Sequence, residues 1–239
     1  MKTSSIISIK LLILLALVNI CISQDFDFFF FVQQWPGSLC DTKKSCCFPL
    51  TGKPASNFTI HGLWPNFNNG SYPSNCNIAQ NPFNQSKITD LIPRAQTKWP
   101  SLSCSGGKKT ENNNTSSDNT RFWKHEWDKH GTCSDSILDQ HAYFEVSLNL
   151  KDRIDLLQIL QNNGIKPDGS FYSVANITQA IKQAIGYGAG ITCNTDPSGN
   201  RQLNEIALCV DKSASNFIEC PILPKGTQSC IENVEFPIF

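Results

Sequence analysis

Ten cysteines between Cys40 and Cys230 most constrain what this chain can fold into. An eleventh, Cys21, lies in an N-terminal stretch with the marks of a secretory signal. Lys2 and Lys10 give that stretch a basic start, Leu11–Val18 an apolar run, and Cys21-Ile22-Ser23 a small-residue cleavage region. The apolar run is short for a membrane anchor, and a lysine interrupts it. Residues 1–23 are therefore expected to be removed, leaving 24–239 as one mature domain. An even, dense cysteine set in an exported chain predicts a framework of disulfides. No two cysteines have the C-x-x-C spacing of a zinc site, and adjacent Cys46 and Cys47 must pair with different partners.

The sequence carries 20 Lys and Arg against 20 Asp and Glu. Loss of Lys2 and Lys10 leaves 18 basic residues and a net charge of −2. Bulk charge therefore does not drive nonspecific nucleic-acid binding, although a local basic site stays open. Asn-x-Ser/Thr sequons start at Asn57, Asn69, Asn84, Asn113, Asn114 and Asn176. Asn69, Asn84 and Asn114, in polar loop sequence, are the expected glycosylation sites.

Asp25–Trp35 is aromatic, begins in alternation and stops at Pro36-Gly37, which predicts a buried strand. Residues 37–57 predict a stapled loop. Phe58–Trp64 predicts a second strand, ended by Pro65, with Thr59, His61 and Leu63 on one face and Phe58 and Ile60 on the other. Ser86 caps an expected helix over Lys87–Trp99, kinked or broken at Pro93. Gly106–Thr120 is polar and low in complexity. Helical periodicity marks Ser136–Leu150 and Asp152–Gln161, and Asn176 is expected to cap a helix to Ile185 and Gly186. Ile191–Asn194, Glu205–Asp211 and Phe217–Cys220 predict strands, and Val234–Phe239 an extended tail. With no repeat and no linker, the chain predicts a single α+β domain with a central, mainly antiparallel sheet packed by several helices.

The densest chemistry is in Phe122–Cys133, Phe-Trp-Lys-His-Glu-Trp-Asp-Lys-His-Gly-Thr-Cys. On a helical wheel His125, Glu126, Lys129 and His130 share one arc of roughly 140° with Phe122. Trp123 and Trp127 sit beside it as core anchors, Lys124 and Asp128 point to water, and Gly131 reads as the stop. A metalloprotease helix needs His-Glu-x-x-His. Here the histidines are five apart, and Lys129 between them would repel a cation. No G-x-S-x-G nucleophile motif is present, and an even cysteine count leaves no free thiol for a cysteine protease. A third histidine, His61, lies in Ile60-His61-Gly62-Leu63-Trp64-Pro65, while His141 has no such company. Two or three histidines with a lysine suit a phosphate whose transition state gains charge while protons move. Trp64 and Phe122 offer faces on which bases can stack. RNA carries its own nucleophile, the 2′-hydroxyl, so this chemistry requires no metal and no cofactor.

Phe58–Pro65 and Phe122–Cys133 resemble, without a gap, the two active-site signatures of the ribonuclease T2 family. The start and the cysteine pattern are similar too, and the chain most resembles the plant S-like, phosphate-starvation-type branch. The resemblance implies an endonuclease of low base specificity on single-stranded RNA, working through a 2′,3′-cyclic phosphate. It implies His130 as the base, His61 as the acid, His125 as a phosphate ligand, and Glu126 with Lys129 as the pair stabilising the transition state. It places Trp64 beside one base, and Gln34 with Phe122 in a second base pocket. The loop before Phe122, which completes that pocket, does not align. The resemblance also implies the pairings Cys40–Cys46, Cys47–Cys104, Cys76–Cys133, Cys193–Cys230 and Cys209–Cys220. A secreted monomer is expected, extracellular with the vacuole as alternative. Self-incompatibility ribonucleases tend to be basic, against the balanced charge here, and an inactive storage paralogue would not be expected to keep every catalytic side chain.

Overall fold

The computed structural model describes residues 25–104, 116–227, 230 and 232–239. The expected signal 1–23 and the sequons at Asn113 and Asn114 lie outside them. Within them is an α+β fold on one mixed sheet of seven strands in the order β2-β1-β5-β7-β3, with β4 and β6 also paired to β5.

Strand β1 (Phe28–Gln34) lies between β2 (Thr59–Asn66) and β5 (Arg201–Asp211), antiparallel to both. Every residue of it is buried. Alternation sorts its aromatic residues between two cores. Phe29 and Phe31, with Phe26 just before the strand, join Trp99, Trp123, Trp127, Tyr143 and Phe144 on the helical side. Phe28, Phe30 and Val32 pack on the other face with Ala207 and Cys209. A third cluster holds Trp35, Phe58 and Phe236 with Leu156, Leu160, Ile177 and Ile181.

On its other edge β5 pairs with β4 (Gly190–Thr195) and β6 (Phe217–Ile218). β3 (Phe171–Ser173) and β7 (Asn233–Glu235) pair with each other. β7 meets β5 in parallel at one position, Gln202↔Glu235, the parallel element of an otherwise antiparallel sheet. No helix of the described residues is long and apolar enough to cross a membrane.

Several boundaries differ from expectation for local reasons. Pro36 ends β1 by opening a short helix, α1 (Pro36–Cys40), where its missing N–H costs nothing. Pro93 likewise stands in the first turn of α2 (Ile92–Lys98), so the expected long helix becomes a 3₁₀ turn, Gln85–Ile88, followed by α2. The cap of that turn is Asn84, whose side chain accepts from the Ser86 amide. Helix α3 (Asn119–Lys129), capped by Asp118, starts earlier than Phe122. Helices α4 (Gln140–Arg153) and α5 (Leu156–Asn162) are capped by Asp139 and Asp155. Asn176 lies inside α6 (Val174–Ile185), whose N-cap position is Ser173, and left-handed Gly186 (φ 85°) closes it.

Pro65 does not end β2. Its pair in β1 is Phe29, and β2 is an edge strand, where a missing N–H is tolerated. The carbonyls of His61 and Leu63 accept from Trp99 Nε1 and Tyr143 OH, both at 2.8 Å. The exposed edge is thus covered by helical side chains.

All five disulfides join the pairs implied by the resemblance. Cys76–Cys133 ties the loop after β2 to the 3₁₀ turn Gly131–Cys133 that follows α3. Next to it the Asn75 amide caps the Lys129 carbonyl at 2.9 Å. Replacing Cys76 and Cys133 together with alanine should lower unfolding free energy by about 2–5 kcal/mol in denaturant titrations. It should also reduce kcat where the variant is still folded, because the end of α3 loses its tether.

Candidate active site

His61 enters the site through a β-bulge. Gly62 pairs with Val32 and Ile60 with Gln33, so His61 is the extra residue. A bulge breaks the period of two. Ile60 and Leu63 consequently share the helical-side core, contrary to the expected opposite faces, while His61 and Trp64 line one cleft.

The facing wall is α3. His125, Glu126 and Lys129 line the cleft from the helix and His130 from its C-cap, with φ −117°. Trp123 and Trp127 are buried and fix the helix, their indole N–H groups donating to the carbonyls of Trp99 and Asn81. Lys124 and Asp128 pair with each other, Lys124 in solvent and Asp128 half-buried. Gly131 is not left-handed. It is there because a Cβ would run into the Trp127 ring.

The cleft encloses about 300 Å³. Phe30, Trp64, Ile222, Leu223 and Pro224 make its apolar side, and Asn66, Tyr72 and Lys225 also line it. A larger depression, about 910 Å³, lies around Lys43, Lys44 and Asp196 and contains none of the histidines. The smaller cleft is where the chemistry gathers.

Glu126 is 1% exposed. Its Oε2 accepts from Trp64 Nε1 at 2.9 Å, and its Oε1 is 3.9 Å from His61 Nε2. Burial raises its pKa, against the opposing effects of His61, the Trp64 bond and Lys129. The other ring nitrogen of His61, Nδ1, is 2.5 Å from Glu205 Oε1. Burial works against a charge on His61, but the Glu205 bond and the two carboxylates outweigh it and its pKa is raised.

His130 goes the other way. It is 5% exposed, and its Nδ1 has no hydrogen-bond partner among the described residues. Burial first, then Lys129 and the other two histidines, depress its pKa to about 3. Its ring stacks on Trp64 with centroids 5.1 Å apart. His125 is exposed, and burial and Lys129 lower its pKa.

Phe122 lies 5.8 Å from the His61 ring, outside the lining of the cleft. Gln34 is buried at the end of β1, opposite Thr59 and Glu205. His141 is apart from the site, paired with Asp90 at 2.9 Å. Among the described residues no three His, Cys, Asp or Glu side chains group as a metal site. Sequence reasoning missed Glu205, Tyr72, Asn66 and Lys225. Glu205 had no local signal, since it meets His61 from 144 residues away.

The model of the Ribonuclease T2 family matches residues 26–220. The chain belongs to that family. This ribonuclease is 53% identical to extracellular ribonuclease LE of Solanum lycopersicum, over 96% of the chain and 97% of that protein. It is 48% identical to intracellular ribonuclease LX of the same species, over 100% of the chain and 96% of the relative. The crystal structure of RNase NT in complex with 5′-AMP superposes with a TM-score of 0.80 at 47% identity, covering 90% of this chain and 100% of that one. The protein is a T2-type endoribonuclease acting on RNA.

Gly62 lets the two walls meet. A Cβ there would collide with Glu126 Oε2 and Trp64 Nε1. Gly62→Ala should therefore break the Trp64–Glu126 bond and lower kcat/KM on a dinucleotide by about 10²-fold, the cost of a ~1 Å misplacement. Denaturant titration should register a loss of about 1–3 kcal/mol, as for overpacking.

Proposed function

We propose that this ribonuclease cleaves single-stranded RNA with low base specificity, without a metal, through a 2′,3′-cyclic phosphate. The reading is carried by one observation: His61 and His130, with Lys129 and His125, line a single cleft. His130 takes the proton of the 2′-hydroxyl. The 2′-oxygen attacks phosphorus, the bond from phosphorus to the 5′-oxygen breaks, and His61 donates a proton to that oxygen. In the second half His61 accepts a proton from water, the oxygen of that water attacks phosphorus, the bond from phosphorus to the 2′-oxygen breaks, and His130 returns a proton to that oxygen. A 3′-phosphate is left.

Lys129 and His125 hold the phosphate, and Lys129 stabilises the charge that grows in the phosphorane. Glu126, whose carboxylate accepts from Trp64 and faces His61, acts with Lys129 in stabilising the transition state by keeping the acid charged and in place. Trp64 has one face against His130, and its free surface is where a base stacks. Gln34 and Phe122 border the second base. Relatives of the ribonuclease include both an extracellular and an intracellular protein. The disulfide-rich fold favours export after removal of residues 1–23, to the extracellular space, as a glycosylated monomer. Asn69 and Asn84 are exposed, as sugar attachment requires.

His61→Ala and His130→Ala should each lower kcat for dinucleotide cleavage by about 10²–10⁴-fold while circular dichroism stays unchanged. Activity within about tenfold of the parent in either variant would sink the assignment. EDTA should leave the rate unaltered, and a strong loss would restore a metal mechanism.

The pH profile follows from the two shifts. With His130 depressed and His61 raised, the productive form, neutral base and charged acid, is the main form between them. The kcat/KM profile should be a bell with its acidic limb below, and its basic limb above, the ordinary histidine value of about 6.5. A bound phosphodiester anion favours both imidazolium forms, so both limbs of kcat should lie at higher pH than those of kcat/KM. A single rising limb would contradict the two-histidine scheme.

A further inference from the structure

Glu205 sits in the middle of β5, with β1 on one side and β4 on the other, so its backbone is fixed on both edges. His61 is two strands away, across β1, a span of about 10 Å. Their side chains close that gap, with Glu205 Oε1 2.5 Å from His61 Nδ1. The second carboxylate oxygen accepts from Thr192 Oγ1 at 3.0 Å, which fixes the rotation of the group. The Glu205 side chain is only 17% exposed and does not line the cleft.

We propose that Glu205 is the positioning residue of the acid, holding the Nδ1 side of His61 so that Nε2 carries its proton into the cleft. This rests on the reading of His61 as the acid. A histidine can donate from Nε2 in every turnover only if its ring orientation and tautomer are set from the other nitrogen. A carboxylate there does both and stabilises the imidazolium. The groups facing His61 are Glu126, Lys129, His125 and His130 from α3 and its cap, Lys225 from the loop lining the same cleft, and Glu205. In register with Glu205, β1 and β4 contribute only the neutral Gln34 and Thr192. Glu126 lies on the Nε2 side, where substrate must enter. Glu205 is thus the one carboxylate on the Nδ1 side among the described residues, and it stays on the ring when RNA occupies the cleft. Burial raises the Glu205 pKa, but the His61 bond and charge outweigh this and leave it lowered, in keeping with a charged pair.

The test compares Glu205→Gln, which keeps an acceptor and loses the charge, with Glu205→Ala and Thr192→Val. His61 is titrated by NMR. Kinetics are followed on a dinucleotide and on a nucleoside 3′-(4-nitrophenyl phosphate), whose leaving group departs without a proton. Glu205→Gln should lower the His61 pKa by about one unit or more and move the basic limb of kcat/KM to lower pH with it. On the dinucleotide at neutral pH kcat should fall by about tenfold or more, with KM within about twofold, and Glu205→Ala should lose more. On the nitrophenyl ester the defects of Glu205→Gln and His61→Ala should both shrink to within about threefold. Thr192→Val should move the titration in the same direction by less. An unchanged His61 titration in Glu205→Gln and Glu205→Ala would overturn the role of Glu205. A His61→Ala defect that persists on the nitrophenyl ester would overturn the acid assignment instead, and the titration would still decide whether Glu205 governs His61.

Discussion

A carboxylate with almost no access to water holds the two halves of this site together. Glu126 belongs to α3, yet its nearest polar neighbours, the Trp64 indole and the His61 ring, belong to β2. A buried carboxylate is costly unless its oxygens are bonded and a cation is near. Both conditions are met only when helix and strand are docked at one separation. Gly62 permits that separation, since any side chain there would occupy the space of the carboxylate. The hydrogen bond from Trp64 therefore does more than orient an aromatic wall. It sets the distance between the segment that carries one catalytic histidine and the segment that carries the other.

That docking is held by groups well outside the cleft. The indole N–H groups of Trp99, Trp123 and Trp127 all end on backbone carbonyls of other segments, and the Tyr143 hydroxyl ends on that of Leu63. Aromatic side chains of this size bring large apolar contact and one directional bond each. Together they fix α3 and the open edge of β2 against the aromatic face of β1. The Cys76–Cys133 bridge and the Asn75 amide act on the end of α3, next to Lys129 and His130. The polar site is thus supported by an apolar frame whose few polar groups are nearly all spent on position.

The parts of this structure that can be read from sequence are those whose reasons are local. The residue types of Phe58–Pro65 and Phe122–Cys133 are dictated by the chemistry, so both segments stand out, and the aromatic run of β1 marks the sheet centre. The wheel over Phe122–Cys133 puts His130 in the right company. The helix ends at Lys129, and His130 is its C-cap, still in the αR region with its N–H on the Glu126 carbonyl, so it stays on the same side as the helical residues. Strict alternation misplaces Ile60 because one inserted residue, His61, resets the period, and nothing in Thr-Ile-His-Gly-Leu marks a bulge before its partner strand is known. Glu205 is harder still. In sequence it is an unremarkable acidic residue on a strand, and it acquires meaning only when β5 and β2 flank β1 and its side chain reaches His61.

The same two environments explain how one cleft keeps two histidines in different protonation states. In water both would titrate near 6.5, and a pair working as acid and base would spend much of its time with the protons reversed. Here the protein separates them by position. His130 is buried, its Nδ1 has no partner among the described residues, and Lys129 and the other two histidines stand near it, all of which penalise the cation. His61 has a carboxylate near each ring nitrogen, which favours the cation despite burial. Lys129 acts on both, yet the outcome differs because only His61 has carboxylates to offset it. The sign of each shift is therefore set less by the shared helix than by what each Nδ1 meets: for His130 a buried position with no partner among the described residues, for His61 a glutamate delivered from the centre of the sheet.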